Sequence, residues 1–415
     1  MTATAELTDL ESIDLADPVH WDPEPPYGIF ARLRRELPVH WSEQRAYPEE
    51  GGFWSVTRHE DMVTVSRDFK TFSSERRGIM ILDEPEGIPL ELQRQQMISM
   101  DPPRHDRMKK LIGKAFTPKR VAAHEPHVRA IVNSVFDRAE AERGPELDLV
   151  ADIARPIPAR VIGSLLGTPE ADDPKLVHWT NVATAFEDRE IATAWEDAAD
   201  EIAEIIEYTS ALREDRLANP KDDLLTALVE ADVDGDRLSE TELAVFFILL
   251  MAAGNDSTRA TYSATMKALI ENPDQMQLVK DDPTLIPKAV EEGLRLFPAF
   301  AFMGRAATRD TELGGQQISE GDRLLLWYIS SNRDEDVFDD PDRFDLHRSN
   351  LTEHQAFGAG GRHFCLGTAL ARLELRVWIE ETLRRYPEIS LAGDPTRVQA
   401  LFLNQYNSIP VRLSA

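Results

Sequence analysis

A mainly α-helical protein with small β-sheets is predicted by two patterns in this chain of 415 residues. Apolar residues recur at helical spacing through Leu149–Leu166, Ile191–Leu217, Leu238–Ile270, Leu285–Leu296 and Leu366–Tyr386. Strand-like sequence is confined to the alternating run Gly52–Thr57 and a β-rich stretch at Leu324–Tyr328. No repeat or low-complexity linker divides the chain, so one domain is expected over residues 24–415, preceded by a flexible acidic segment over residues 1–23.

In chain order, Met1–Pro23 lacks the apolar stretch of a signal peptide or anchor. Met108, Leu111, Ile112, Ala115 and Phe116 share a helical face, with Asp101 the expected N-cap and Pro102 at the first helical position. Asp172-Asp173-Pro174 and Asn219–Asp223 read as surface turns between helices. The longest apolar run, Ala244–Ala253, is far short of the roughly 20 residues that span a bilayer, and so reads as a buried helix. A hydrophobic content of 42% supports a large core, and a net charge of -28 argues against nucleic acid and anionic membrane as partners. A single cysteine excludes an internal disulfide and fits a reducing cytoplasm.

That cysteine, Cys365, follows the glycine-rich run Phe357-Gly358-Ala359-Gly360-Gly361-Arg362-His363-Phe364 and precedes Leu366-Gly367 and a helix. Backbone N–H groups of such a loop and the positive end of the helix are expected to lower the thiol pKa and favour metal binding. Phe-Gly-x-Gly, a His two before the Cys and a Gly two after it resemble the haem-ligand loop of the cytochrome P-450 family. The spacing from Phe357 to Cys365 is one residue longer than in many members, a form associated with a subset of bacterial lipid and steroid oxidisers.

The resemblance implies a haem-thiolate monooxygenase with haem b held by Cys365 as metal ligand. Electron density pushed from the axial sulfur favours O–O cleavage in this family. Three further motifs lie in the family's order. Ala253-Gly254-Asn255-Asp256-Ser257-Thr258 interrupts an apolar helix with a glycine that costs on the order of 1 kcal/mol against alanine. By resemblance Asp256 and Ser257 relay protons to bound dioxygen. Most members carry Thr where Ser257 stands, and the serine lacks the methyl that restricts its rotamer, so proton delivery is expected to be looser or shared with Thr258. Glu292-Gly293-Leu294-Arg295 places an acid and a guanidinium one helical turn apart, and the resemblance adds Arg343 as a third member that locks the segment framing the haem. His105, Lys109, Arg305 and His363 match positions that partner the haem propionates, with Lys109 the weakest because lysine cannot grip a carboxylate bidentately. Phe357, Gly358 and Gly367 shape the cofactor loop.

For substrate, an extended segment 299–305 would put Ala301 and Met303 on the side of Arg305. Ala253, Leu401, Phe402 and the stretch Gly78–Met100, with Met97 and Ile98, match regions lining the family's pocket. These residues are largely apolar, which favours a steroid, terpenoid or branched acyl chain held by burial. No flavin or iron–sulfur motif is present, so electrons from NAD(P)H are expected through a ferredoxin or flavodoxin and its reductase, docking on Lys109, Lys110, Lys114, Arg362, Arg372 and Arg376. A peroxide-dependent oxygenase and a non-catalytic haem-thiolate binding protein are the rival readings.

Overall fold

The computed structural model describes residues 9–84, 89–114, 116–184 and 195–414. The long helix Glu240–Glu271 is its axis. Ser239 and Glu242 start it with a capping box, Glu242 N–H donating to Ser239 Oγ at 3.2 Å and Ser239 N–H to Glu242 Oε2 at 2.8 Å. Helices Pro156–Leu166, Asp173–Thr184, Trp195–Ala218, Ile286–Leu296 and Thr368–Arg385 pack around it.

Small residues set how closely they approach. A Cβ at Gly254 would lie 2.5 Å from Ile162 Cδ1, and one at Gly293 would overlap the Thr265 side chain. The expected interruption at Gly254 is therefore absent: the helix runs through without a break, and the glycine makes room for the Pro156–Leu166 helix.

The other helical expectations hold with local changes. Leu149–Leu166 divides into a π-helical turn, Leu149–Ala154, and the α-helix Pro156–Leu166, because Pro156 has no N–H to continue the ladder. The expected start at Ile191, Ala115 and residues 85–88 of the Gly78–Met100 stretch lie outside the described residues. The helix expected after Asp101 begins instead at Arg104, since the Asp101 carboxylate is taken by Ser73 Oγ and by Ser74 N–H at 2.9 Å.

Both strand segments enter one five-stranded sheet in the order Val39–Glu43, Gly52–Val56, Arg323–Trp327, Phe302–Ala307, Phe72–Ser73. Gly52–Val56 pairs parallel to Arg323–Trp327, with Phe53 opposite Arg323, and the other pairs are antiparallel. A second core lies against this sheet, built from Phe30, Phe53, Phe302 and Trp327. Residues 9–23 belong to it rather than forming a flexible segment: Leu10, Ile13, Leu15 and Trp21 are buried, and Trp21 Nε1 donates to Leu15 O at 2.9 Å. Residues 1–8 lie outside the described residues. Among the described residues no helix is long and apolar enough to cross a membrane.

Candidate functional site

A cavity of about 240 Å³ lies between the central helix and the loop that carries Cys365. One stripe of the helix forms its wall: Phe246, Leu249, Leu250, Ala253, Gly254, Ser257, Thr258 and Thr261. Steps of three and four residues keep these side chains on one face. Along the stripe the chemistry passes from large apolar, to small, to hydroxyl. Ser257 Oγ donates to Ala253 O at 2.7 Å and Thr258 Oγ1 to Gly254 O at 3.1 Å. Each hydroxyl thus spends its proton one turn back along the helix.

Asp256 is off that stripe. It is buried but absent from the cavity wall, and its Oδ1 sits 2.6 Å from Arg259, whose Nη2 also donates to Gln405 Oε1 at 2.9 Å.

Opposite the stripe, Cys365 N–H donates to Phe357 O at 2.9 Å and closes the glycine loop. Phe357, Gly358, His363, Cys365 and Gly367 all line the cavity. The sulfur is open to the cavity and otherwise enclosed, and burial pushes its pKa up, outweighing the Gly367 N–H, Lys109 and Arg372 that pull it down. The expected lowering is therefore not a property of this chain by itself. His105 and His363 pack against each other with ring centroids 4.3 Å apart and planes tilted by 52°, and burial lowers both pKa values. Beside them Arg305 is buried, with Nη1 donating to Gly304 O at 2.6 Å and no carboxylate paired with it among the described residues.

A model of the family described as Cytochrome P450 matches residues 187–399. A methyl-branched lipid omega-hydroxylase of Mycobacterium bovis is 40% identical over 393 residues, 93% of this chain and 91% of that protein. The chain belongs to the cytochrome P450 family. The steroid C26-monooxygenase of Rhodococcus jostii is 37% identical over 413 residues, covering 97% of this chain and 85% of that protein. A Mycobacterium marinum cytochrome P450 in complex with pseudoionone matches with a TM-score of 0.87 and 35% identity, over 98% of this chain and 100% of the other. As a family member the protein is a haem b monooxygenase drawing electrons from NAD(P)H through partner proteins.

The site of this P450 fits that cofactor. An unmet buried guanidinium at Arg305 and the buried, unpartnered Nε2 of His363 call for an anionic, hydrogen-bonding group, which haem propionates supply. Lys109 is committed elsewhere, its Nζ donating to Phe364 O at 2.9 Å and to Arg362 O, so it ties down the cysteine loop.

The buried pair Glu292–Arg295 is present, with bonds of 2.7 and 2.8 Å and no exposure of either side chain. Its third member is Arg348, whose Nε donates to Glu292 Oε1 at 3.0 Å, and not Arg343. Arg343 is exposed and contributes only its carbonyl, which accepts from Arg295 at 3.1 Å and from Arg348 at 2.9 Å. The loop 339–348 folds back on itself, bringing a later arginine to the acid than the motif suggested.

Met97, Ile98, Ala253 and Met303 line the cavity as expected, but Ala301, Leu401 and Phe402 do not. Ala301 precedes the strand, with its N–H bonded to Phe402 O at 2.7 Å, and packs into the sheet core. Phe402 stands behind Phe300 with ring centroids 4.9 Å apart, so Phe300 forms the wall in its place. The expected docking cations are mostly spent internally: Arg372 on Glu291 at 2.6 Å, Arg376 on Glu125 at 2.6 Å and Glu380 at 2.8 Å, Arg362 on Asp106 at 2.5 Å.

Three polar lining residues lay outside the sequence expectations: Thr261, Tyr328 and Glu374. Thr261 continues the helical stripe and could have been found by extending it. Glu374 is an acid set between Leu373 and Leu375, a signal that a count of charges passes over.

Proposed function

We propose that this cytochrome P450 hydroxylates an apolar small molecule, a steroid, terpenoid or branched acyl chain, with a ferredoxin or flavodoxin and its reductase supplying electrons in the cytoplasm. The observation that carries the substrate class is the spending of charge around the cavity. Its cations fit the cofactor or tie the cysteine loop, and Met97, Ile98, Phe116, Phe246, Leu249, Leu250 and Phe300 offer only apolar surface. A ligand there is held by burial, at about 25 cal/mol per Å² of apolar area removed from water. The names of the two similar enzymes, a branched-lipid and a steroid hydroxylase, agree with this class.

Haem, when bound through Cys365, supplies the iron that activates dioxygen. Arg305, His105 and His363 would hold its carboxylates, and Lys109 would brace the loop. Ser257 and Thr258 have their protons directed at helix carbonyls, so their oxygens face the cavity as acceptors for a proton-bearing neighbour. Asp256 would exchange protons with solvent on the far side of the helix, released by movement of Arg259. The apolar stripe excludes water from the end where substrate lies.

The test is the optical spectrum of the ferric protein during titration with a methyl-branched fatty acid, a steroid and an acyclic isoprenoid ketone. A low-to-high-spin shift with members of this set is expected. A shift only with polar, charged ligands would overturn the reading.

A further inference from the structure

Two cations pull the Cys365 thiol toward its charged form, and they are held in different ways. Lys109 bonds to the carbonyls of Arg362 and Phe364, and among the described residues no acid forms an ion pair with it. Arg372, on the helix Thr368–Arg385 that follows the cysteine loop, is gripped by Glu291: its Nε donates to Oε1 at 2.6 Å and its Nη2 to Oε2 at 2.8 Å. The same acid reaches the start of the loop. Ala356 N–H donates to His354 Nδ1 at 3.2 Å, which leaves the ring proton on Nε2, and Nε2 donates it to Glu291 Oε2 at 3.1 Å. Phe357, which lines the cavity, carries the Arg372 guanidinium 4.7 Å from its ring centroid, and its carbonyl accepts the Cys365 N–H at 2.9 Å.

The pair braces the helix Ile286–Leu296 against Thr368–Arg385, and its placement gives it a second effect. A lone guanidinium near the sulfur would draw electron density from it and favour added negative charge on the metal that the sulfur holds. A carboxylate gripping that guanidinium at two points adds the opposite field, so much of the effect cancels. Glu291 suits this task because it stays charged: burial pushes its carboxyl up, but bonds from Arg372 and His354 outweigh this and hold its pKa at about 2. Its neighbour Glu292 cannot take its place, being met already by Arg295 and Arg348.

We propose that Glu291 is a positioning residue that sets the reduction potential of the haem iron, by holding Arg372 near the axial sulfur while cancelling its charge. The inference rests on the family's cofactor and on Cys365 as its ligand. No bond is made or broken: ferric iron gains one electron from the redox partner, and the pair fixes how readily. With Glu291 ionised, the sulfur keeps its donor strength and the ferric state is favoured. The Arg372 side chain is 37% exposed, so solvent screening keeps the effect modest.

Reductive titration of the haem-loaded, substrate-free protein with a soluble dye mediator reads this without turnover. Glu291→Gln leaves the Arg372 charge unopposed and should raise the ratio of reduced to oxidised iron at a fixed potential by about tenfold, which is about 59 mV for one electron. Arg372→Gln leaves the Glu291 charge unopposed and should lower the ratio by a similar factor. The double variant should return close to the wild type, because both fields are gone. Single variants that shift in the same direction, or not at all, overturn the proposal, since a brace alone gives no reason for opposite signs. Glu291→Asp and Arg372→Lys keep each charge and should stay near the wild-type potential. A tenfold shift in either of these overturns the proposal even if the neutral variants fail to hold haem. A wild-type carbonyl complex without the thiolate signature would strike Cys365 as the ligand, and this inference with it, whereas the potentials decide only the role of the pair.

Discussion

Glu292 and Glu374 are the same residue type, both on helices packed against the central helix and both nearly sealed from solvent, at 0% and 2% exposure. They live in opposite electrostatic worlds. Glu292 receives two bonds from Arg295, one from Arg348 and one from the Asp345 N–H at 2.9 Å, so its charge is met on every side. Glu374, which lines the cavity, meets no cation among the described residues and has an oxygen without a hydrogen-bond partner. A buried acid whose charge is answered holds a fold together, whereas one left unanswered holds a proton.

Removing the answer to Glu292 gives the largest expected effect. Arg295→Ala strands a buried carboxylate and should cost about 3–5 kcal/mol, read as loss of haem content and of the unfolding midpoint in urea. A normal haem-to-protein ratio in the purified variant would contradict the locking role. Neutralising the two acids sharpens the contrast. Glu292→Gln leaves two guanidiniums short of a partner and should cost about 3 kcal/mol, while Glu374→Gln should change stability by about 1 kcal/mol or less. Equal losses in urea unfolding would erase the distinction.

Arg348→Ala is next, at about 2 kcal/mol for a charge-assisted bond to a buried acid. Arg343→Ala, at an exposed side chain, should stay within about 0.5 kcal/mol. The reverse ranking would restore Arg343 as the third member.

Acidity separates answered from unanswered acids as well. Burial pushes the Glu291 carboxyl up, but hydrogen bonds from Arg372 and His354 outweigh it and hold the pKa at about 2. A folded-state pKa below the unfolded one stabilises above the ordinary carboxylate range and is lost as pH falls toward about 2. Glu374 has the opposite sign: the folded chain keeps a proton that the unfolded chain releases, so stability drains away as pH rises above the ordinary carboxylate value. Urea unfolding at a series of pH values should show the wild-type advantage over Glu291→Gln shrinking toward acid. Relative to Glu374→Gln the wild type should lose ground toward alkali.

Much of this was legible in the sequence, for physical reasons. The glycine loop around Cys365 was readable because a sulfur exposed to a cavity at a helix start needs small residues at fixed offsets, and Glu292–Arg295 because a helix puts residues three apart on one face. The helical period also explains a miss. Asp256 and Ser257 are neighbours in sequence but about 100° apart around the axis, so Ser257 faces the cavity while Asp256 turns to Arg259. Arg348 was hidden because the fold-back of a loop has no period to read. Glu374 was hidden because composition records an acid and says nothing of whether a cation will stand beside it. The ion pairs of the expected docking cations were hidden similarly, since Glu291, Glu125 and Asp106 reach them only through tertiary packing.

The solitary guanidinium of Arg305 ties the life of the polypeptide to its iron supply. A chain with an unmet positive charge at its centre gains from any ligand that meets it, by about 1.4 kcal/mol for each tenfold excess of free cofactor over its dissociation constant. Cells short of haem would therefore accumulate less of this protein before they lost any of its turnover. Abundance, measured as the half-life of the polypeptide under haem limitation, becomes a gauge of cofactor economy written into one arginine.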